Sequence, residues 1–282
     1  MVAMSPHHCR SRHPLGQPTR GKTAHNRLRR VDNFVLLYDP VLISRQDGDF
    51  AEAPFVDLGY GAEPWTTLES ATRLRRVNPT LRVFGVELDP ERVAAAQPFA
   101  DDLTVFRQGG FDLPLSTGTA RLIRAFNVLR QYDASAVAEA HATLGRYLLP
   151  AGLLLEGTSD PLGRVWVANL LRKPAHGDPS APLLIEGLLF STNFRWGFEP
   201  RIFQPVLPKN FIHRVVPGEP IYDFFTDWTA AYQAALPLRS LGLRQLFARS
   251  ARELAERGYA IDTRRKLLSK GYLLWKLAQE AN

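Results

Sequence analysis

Phe55-Val56-Asp57-Leu58-Gly59-Tyr60-Gly61-Ala62-Glu63-Pro64 decides the fold. An apolar run ends in an acid, two glycines follow one residue apart, and a proline opens an amphipathic segment. The pattern predicts a strand, a tight turn and a helix. Glycine permits positive φ and the close approach of a ligand, and Pro64 suits the first helical turn, where its missing N–H costs nothing. Trp65, Leu68, Ala71 and Leu74, three apart, give the helix an apolar face.

A glycine turn of this kind serves several ligand classes, so spacing matters. The dinucleotide fingerprint wants a third Gly or Ala at position 64, where proline stands. An acid two residues before the first glycine, Asp57-Leu58-Gly59-x-Gly61, instead resembles the first motif of class I S-adenosylmethionine-dependent methyltransferases. Glu63 takes the place of that motif's usual third glycine. Further along, Arg82-Val83-Phe84-Gly85-Val86-Glu87 reads as a second strand, and Leu88-Asp89-Pro90-Glu91 as the start of a helix with Asp89 as its N-cap. This phrase is similar to the family's second motif. Glu87 ends the strand, where a carboxylate accepts two hydrogen bonds from a ribose diol; the structural alternative is an ordinary exposed strand-end acid. On either reading its removal should leave folding nearly untouched.

A third strand, Leu103 to Phe106, runs into Gln108-Gly109-Gly110-Phe111-Asp112. The family commonly has Gly-Asp here, the Asp holding the adenine amino group. Gly110 replaces that Asp, so the resemblance places Phe111 on the adenine face and leaves the lost hydrogen bond to backbone groups or Asp112. A fourth strand, Ala120 to Asn127, resembles the motif whose strand end faces the transferring methyl, with Arg121 where an Asp is usual. The Asn127 side-chain oxygen either orients an attacking amine or closes the turn, and the sequence leaves both open. A helix over Ala134 to Leu148 puts His141 at a core edge rather than in catalysis. Leu149-Pro150-Ala151-Gly152 then hands over to an apolar fifth strand. The matches cover residues 50 to 160 in the family's order.

The resemblance implies an α/β, doubly wound, mostly parallel sheet with C-terminal helical and strand additions. Strands near 54–58, 82–87, 103–107, 121–127 and 152–157 should be ordered 3-2-1-4-5, because right-handed crossovers dictate that arrangement. Residues 21–282 would form one domain, 21–160 holding the cofactor and 161–282 completing the sheet and the substrate side. S-adenosyl-L-methionine is the implied cofactor, held by Asp57, Gly59, Gly61 and Glu87, with Gly110 and Phe111 near adenine and Asn127 at the reaction centre. The methyl acceptor, an N, O or C nucleophile, is not identified. The departures at Glu63, Gly110 and Arg121 motivate a rival, a cofactor-binding protein that transfers no methyl. A second rival is a nucleic-acid-binding protein using the N-terminal arm.

Composition bounds these readings. The 282 residues suit one large domain. The longest apolar runs, such as Leu183 to Phe190, are too short to span a bilayer, and no apolar h-region stands at the N-terminus. Cys9 is the only cysteine, and the expected compartment is the cytoplasm. The formal charge is +7, yet residues 1–31 hold seven Arg or Lys and no acid; removing these from 35 basic residues leaves 28 against 28 acids. The excess therefore sits in the arm, read as a solvated, disordered leader over residues 1–20 in preference to a nucleic-acid contact. His7, His8, Cys9 and His13 within it are not expected to hold a metal.

Beyond Asp160, Arg164 to Leu171 and Leu183 to Phe194 read as strands, and Ile221 to Ala235 and Leu243 to Arg257 as helices. Gly271 to Leu277, with Tyr272 and Trp275, reads as a half-buried last strand rather than a stacking surface for single-stranded RNA. Deleting residues 1–20 should leave the melting temperature unchanged, and the intact protein should show no steeply salt-dependent nucleic-acid affinity from this arm; a scanning-calorimetry trace and a salt titration check both.

Overall fold

The computed structural model describes residues 16–17, 23–178 and 180–277. Helices α1 (Arg29–Tyr38) and α2 (Pro40–Ser44) lead into β1 (Phe55–Leu58), whose four residues are all buried. Asp39 caps α2 by accepting the Leu42 N–H, with Pro40 in the first turn. Then come α3 (Trp65–Leu74), β2 (Val83–Glu87), α4 (Pro90–Ala96), β3 (Thr104–Gln108), β4 (Ala120–Phe126), α5 (Ala136–Gly145) and β5 (Leu148–Ser159). These five strands are parallel in the order β3-β2-β1-β4-β5. Val56 pairs with Phe84 on one side and Ile123 on the other, so β1 is central. This is the doubly wound sheet, in the order 3-2-1-4-5, that the motif order implied.

Past β5 the chain changes habit. β6 (Val165–Arg172), β7 (Leu184–Thr192) and β8 (Tyr272–Trp275) add one after another, all antiparallel, giving eight strands. The β5–β6 turn is tight: Asp160 accepts the Val165 and Leu162 N–H groups, and Gly163 has φ +64°. A Cβ at Gly163 would fall 1.7 Å from the Arg27 carbonyl oxygen, so only glycine lets this turn pack on the segment entering α1. Between β7 and β8 run α6 (Lys209–Ile212), α7 (Pro220–Ala235), α8 (Leu243–Glu256) and α9 (Arg265–Leu268).

The sheet separates two cores. One face buries Phe34, Phe55, Leu122, Leu155, Trp166, Leu170 and Tyr272 beneath α1, α3 and α9. The other carries Val56, Ile123 and Leu154 with Leu144 of α5, and continues over β6–β8 as an aromatic core of Phe190, Phe203, Phe224, Trp228, Phe247 and Trp275. Phe224 and Trp275 stack at 4.2 Å. Tyr272 and Trp275 thus belong to a last strand, as expected, but its four residues are all buried rather than half-buried, because a core closes over each face.

A buried ionic network fastens the first face. Arg124 of β4, 1% exposed, donates Nε to Asp57 Oδ1 (3.0 Å) and Nη1 to Asp32 of α1 and to Ser70 Oγ (2.8 Å). Its Nη2 lies 2.9 Å from Asp57 Oδ2 and donates to the Thr66 carbonyl. Asp32 also accepts from Arg73 and Ser70. Burial opposes the Arg124 cation, and Asp57 and Asp32 more than offset it, holding its pKa above the ordinary guanidinium value. Removing one partner of such a network strands the other charges in the interior. Arg124→Ala should therefore lower the unfolding free energy by about 3–5 kcal/mol, seen in urea titrations as an earlier midpoint at unchanged slope; a loss near zero would contradict this account.

Candidate functional site

The carboxyl edge of the parallel strands, where β1 lies between β2 and β4, is the topological switch point at which sheets of this kind bind ligands. Gly59 and Gly61 turn the chain there with φ of +72° and +91°, and the Gly59 N–H donates to the Val86 carbonyl at 2.7 Å. Two small hollows share Leu58 and Gly59 and flank this turn. One is lined by Arg27, Asp57, Gly61, Thr66 and Asn127. The other is lined by Glu87, Gly110, Phe111, Tyr132 and the Gly16–Gln17 segment. All seven site residues expected from sequence thus line one crevice.

Their partners define what each does. Asp57 accepts from Thr66 Oγ1 (2.8 Å), Thr67 Oγ1 (2.9 Å) and two nitrogens of Arg124. A carboxylate has about four lone-pair sites, so Asp57 anchors the turn and the start of α3. Glu87 is fully buried; its Oε2 accepts the Gly61 N–H and its Oε1 the Leu88 N–H, both at 2.9 Å, with Arg92 Nη1 3.8 Å away. It is not an exposed strand-end acid, and the expectation that its removal spares the fold is corrected: alanine would leave two backbone donors without their acceptor, a cost of about 1–3 kcal/mol for a buried group. Asn127 has φ +61°, a conformation asparagine tolerates. Its Oδ1 accepts the Ser159 N–H (3.1 Å) and its Nδ2 donates to Ser159 Oγ (3.2 Å), clasping the ends of β4 and β5.

Sequence reading passed over two contributors. Arg27 enters the first hollow from the turn before α1 and donates Nε to Ser159 Oγ (3.0 Å) and to the Asp160 carbonyl (3.3 Å). Burial lowers its pKa from the ordinary guanidinium value, with Asp160 acting the other way. Gly16 and Gln17 cross the second hollow, the Gln17 N–H donating to Tyr132 Oη and the Gln17 carbonyl accepting from Gln131 Nε2 at 2.8 Å. Tyr132 in turn packs on Phe111, ring centroids 5.3 Å apart. Nothing in a loop without periodicity signals such a contact. The rest of the arm through Lys22, including His7, His8, Cys9 and His13, lies outside the described residues. The hollows measure about 30 and 20 Å³, room for a water and not for a nucleoside.

Of the three departures from the family pattern, Gly110 lines the second hollow, whereas Arg121 and Glu63 lie apart from this chemistry. Arg121 sits at the amino end of β4, donating to the carbonyls of Leu42, Ile43, Arg45, Phe50 and Ala53; burial lowers its pKa to about 10. It ties down the segment before β1 and has no bearing on the carboxyl edge. Glu63 is exposed and accepts from Trp65 Nε1. His141 faces buried Glu156 at 3.4 Å, at the edge of the second core. Among the described residues no group of His, Cys, Asp or Glu is placed to hold a metal, and no helix is long and apolar enough to cross a membrane.

No protein-family model matches the sequence, and comparison with curated proteins finds no match. Solved structures do match in part. An amino pentose methyltransferase, CalS10 of Micromonospora echinaspora, is 18% identical over 61% of this chain and 69% of its own, with TM-score 0.35. A putative sarcosine dimethylglycine methyltransferase from Galdieria sulphuraria is 18% identical over 46% and 45%, with TM-score 0.32. An S-adenosylmethionine-dependent methyltransferase from Mesorhizobium loti is 22% identical over 44% and 55%, with TM-score 0.32. The alignments with the last two span about half of those chains. These likenesses concern the fold.

The Tyr132 contact is open to a direct check. Tyr132→Phe removes the acceptor of the Gln17 N–H, so hydrogen exchange at Gln17 should accelerate while the amides of β1 and β4 keep their protection. Unchanged exchange at Gln17 would mean that the segment is held by something else.

Proposed function

We propose that the protein is an S-adenosylmethionine-dependent methyltransferase. The observation that carries this reading is the convergence of the Gly59–Gly61 turn, Glu87, Gly110 and Phe111 on one crevice at the switch point of a doubly wound sheet. The side of the crevice with Glu87 and Phe111 suits an adenosine: a carboxylate for the ribose diol and a ring for the adenine face. Gly110 brings backbone rather than a side chain to that side. The side with Arg27 suits an amino-acid carboxylate, because the guanidinium makes its hydrogen bonds to neutral oxygens, with Asp160 a carboxylate that acts on it without bonding it. Entry of a nucleoside requires the Gly16–Gln17 segment to leave the second hollow.

The cofactor supplies an activated methyl on a sulfonium, which passes to the acceptor's lone pair as the carbon–sulfur bond breaks toward a neutral thioether. This chain's residues supply position. Asp57 and Arg124 fix the turn, and Asn127 with Ser159 fixes the strand ends beside the reaction centre. On this reading Asn127 is a positioning residue, since Ser159 already engages both ends of its amide. The acceptor meets the crevice from the side of β5–β8, where residues 161–282 lie.

Calorimetry with S-adenosylmethionine, its demethylated product S-adenosylhomocysteine, and methylthioadenosine tests the assignment residue by residue. Glu87→Gln keeps an acceptor for Gly61 but loses the charge, so all three ligands should weaken about tenfold, the difference between charged and neutral hydrogen bonding. Arg27→Ala should weaken the two amino-acid-bearing ligands about tenfold to a hundredfold and leave methylthioadenosine unchanged, because that ligand has no carboxylate. A wild-type protein that binds none of the three at millimolar concentration would end the methyltransferase reading.

A further inference from the structure

A second cleft, about 670 Å³, opens where α1, the first turn of α8 and the turn between α9 and β8 meet. Arg30, Asn33, Arg244, Ser269 and Lys270 give it its polar surface, and no carboxylate lines it among the described residues. Arg30 is the fixed element. Its Nε donates to Ser191 Oγ (2.9 Å), its Nη2 to the Lys270 and Gly271 carbonyls (2.8 and 3.3 Å), and its guanidinium lies 4.5 Å from the Tyr272 ring centroid. Every one of these partners is neutral, the Tyr272 hydroxyl included, whose pKa burial raises to about 12. Burial is the main cause that lowers the Arg30 pKa, and Arg244 is near enough to push it the same way.

Arg244 is placed against ordinary helix electrostatics. It occupies the first turn of α8, where unpaired N–H groups already make the potential positive, with no acid in that turn and no side-chain cap. Neither Arg244 nor Lys270, both exposed, has an ion-pair partner among the described residues. Arg30 is one of the seven basic residues of the first 31, while Arg244 and Lys270 come from a remainder balanced in charge, so the fold itself gathers these three cations at one place. An arrangement that is unfavourable by itself becomes favourable around a dianion, which takes Arg30 as a held fork, Arg244 and Lys270 as mobile donors and the α8 N-terminus as a dipole.

The cleft also has a place relative to the candidate crevice. Ser159, Trp166, Ser191 and Tyr272 lie opposite one another across β5, β6, β7 and β8, forming one row. Arg27 holds Ser159 and Arg30, three residues later, holds Ser191. Two strand spacings separate those serines, about 10 Å, along the same edge of the sheet as Asn127. We infer that this cleft binds a phosphate group of the methyl acceptor, so that the substrate is a phosphate ester lying along this edge with its nucleophile toward Asn127 and its phosphate on Arg30, Arg244 and Lys270. The inference rests on the methyltransferase reading for the word acceptor, and on the cleft alone for phosphate binding.

Calorimetry on the full chain in a phosphate-free buffer separates the two. Inorganic pyrophosphate should bind the wild type, more weakly as salt is raised. The variant R244A/K270A changes two exposed side chains, so it should fold and bind S-adenosylhomocysteine as the wild type does while losing pyrophosphate affinity by about tenfold or more. Adenosine monophosphate and a single-stranded oligonucleotide then distinguish a small phosphate ester from a nucleic acid as the source of the phosphate; competition by either against pyrophosphate supports the site. No pyrophosphate binding by the wild type, or equal binding by R244A/K270A, overturns the proposal even where S-adenosylhomocysteine binds. Pyrophosphate binding without any binding of S-adenosylhomocysteine keeps the anion site and removes the methyltransferase reading instead.

Discussion

Arg124 is a cation sealed inside the domain between two carboxylates, and the shape of the crevice follows from it. One guanidinium joins β4 to β1 through Asp57, to α1 through Asp32 and to α3 through Ser70 and the Thr66 carbonyl. Each of these elements brings something to the candidate site: β1 the glycine turn, β4 Asn127, α3 Thr66, and the segment entering α1 the guanidinium of Arg27. A buried ion pair is a poor source of net stability, because desolvation consumes much of its Coulomb energy. It is a strong source of register, since a displaced partner leaves a charge in the core. The geometry of the turn is therefore fixed from beneath, by residues that need not touch a ligand.

The same logic divides the carboxyl edge by charge. Around Gly59 and Gly61 the acids are already engaged: Asp57 is saturated by Arg124 and two threonine hydroxyls, and Glu87 is bonded to the backbone with Arg92 3.8 Å away. Farther along the edge, over β7 and β8, cations gather without acids among the described residues. Arg27 stands between the two regions on a scaffold of serine and carbonyl oxygens. On the function proposed above, the Glu87 side, the Arg27 guanidinium and the basic cleft would take, in turn, a diol, an amino-acid carboxylate and a phosphate ester.

The antiparallel extension makes that second region. Had the chain ended at β5, the switch point would still exist, but the row from Ser159 to Tyr272 would not. The long excursion between β7 and β8 covers one face with α7 and α8 and returns α9 to the other. Its aromatic core, with Phe190 against Phe203, Phe224 and Trp228, packs these additions on the extended sheet.

Much of this was legible in the residues themselves. The strand–turn–helix at Phe55 to Pro64, the Asp89-Pro90 cap and the order of five strands are local patterns: an apolar run, a glycine pair, a proline at a first helical turn. Periodicity and capping act over a few residues, so a sequence displays them. The same reading placed Tyr272 and Trp275 in a strand, because alternate apolar residues beside basic ones suit a half-buried edge. What it did not show are the relations set by distant packing. That Asp57 is spent on Arg124, that Glu87 is buried against Gly61, that Arg121 belongs to the opposite end of its strand, and that Arg27 and Arg30 reach one row of the sheet all depend on contacts between residues separated by many tens of positions. Hydrogen-bond partners of charged groups carry no local signature, since the same arginine serves solvent, a carbonyl or a carboxylate according to what the fold brings against it. The sequence by itself determined which elements form and in what order; the tertiary structure decided which charges are spent on structure and which line the crevice and the cleft.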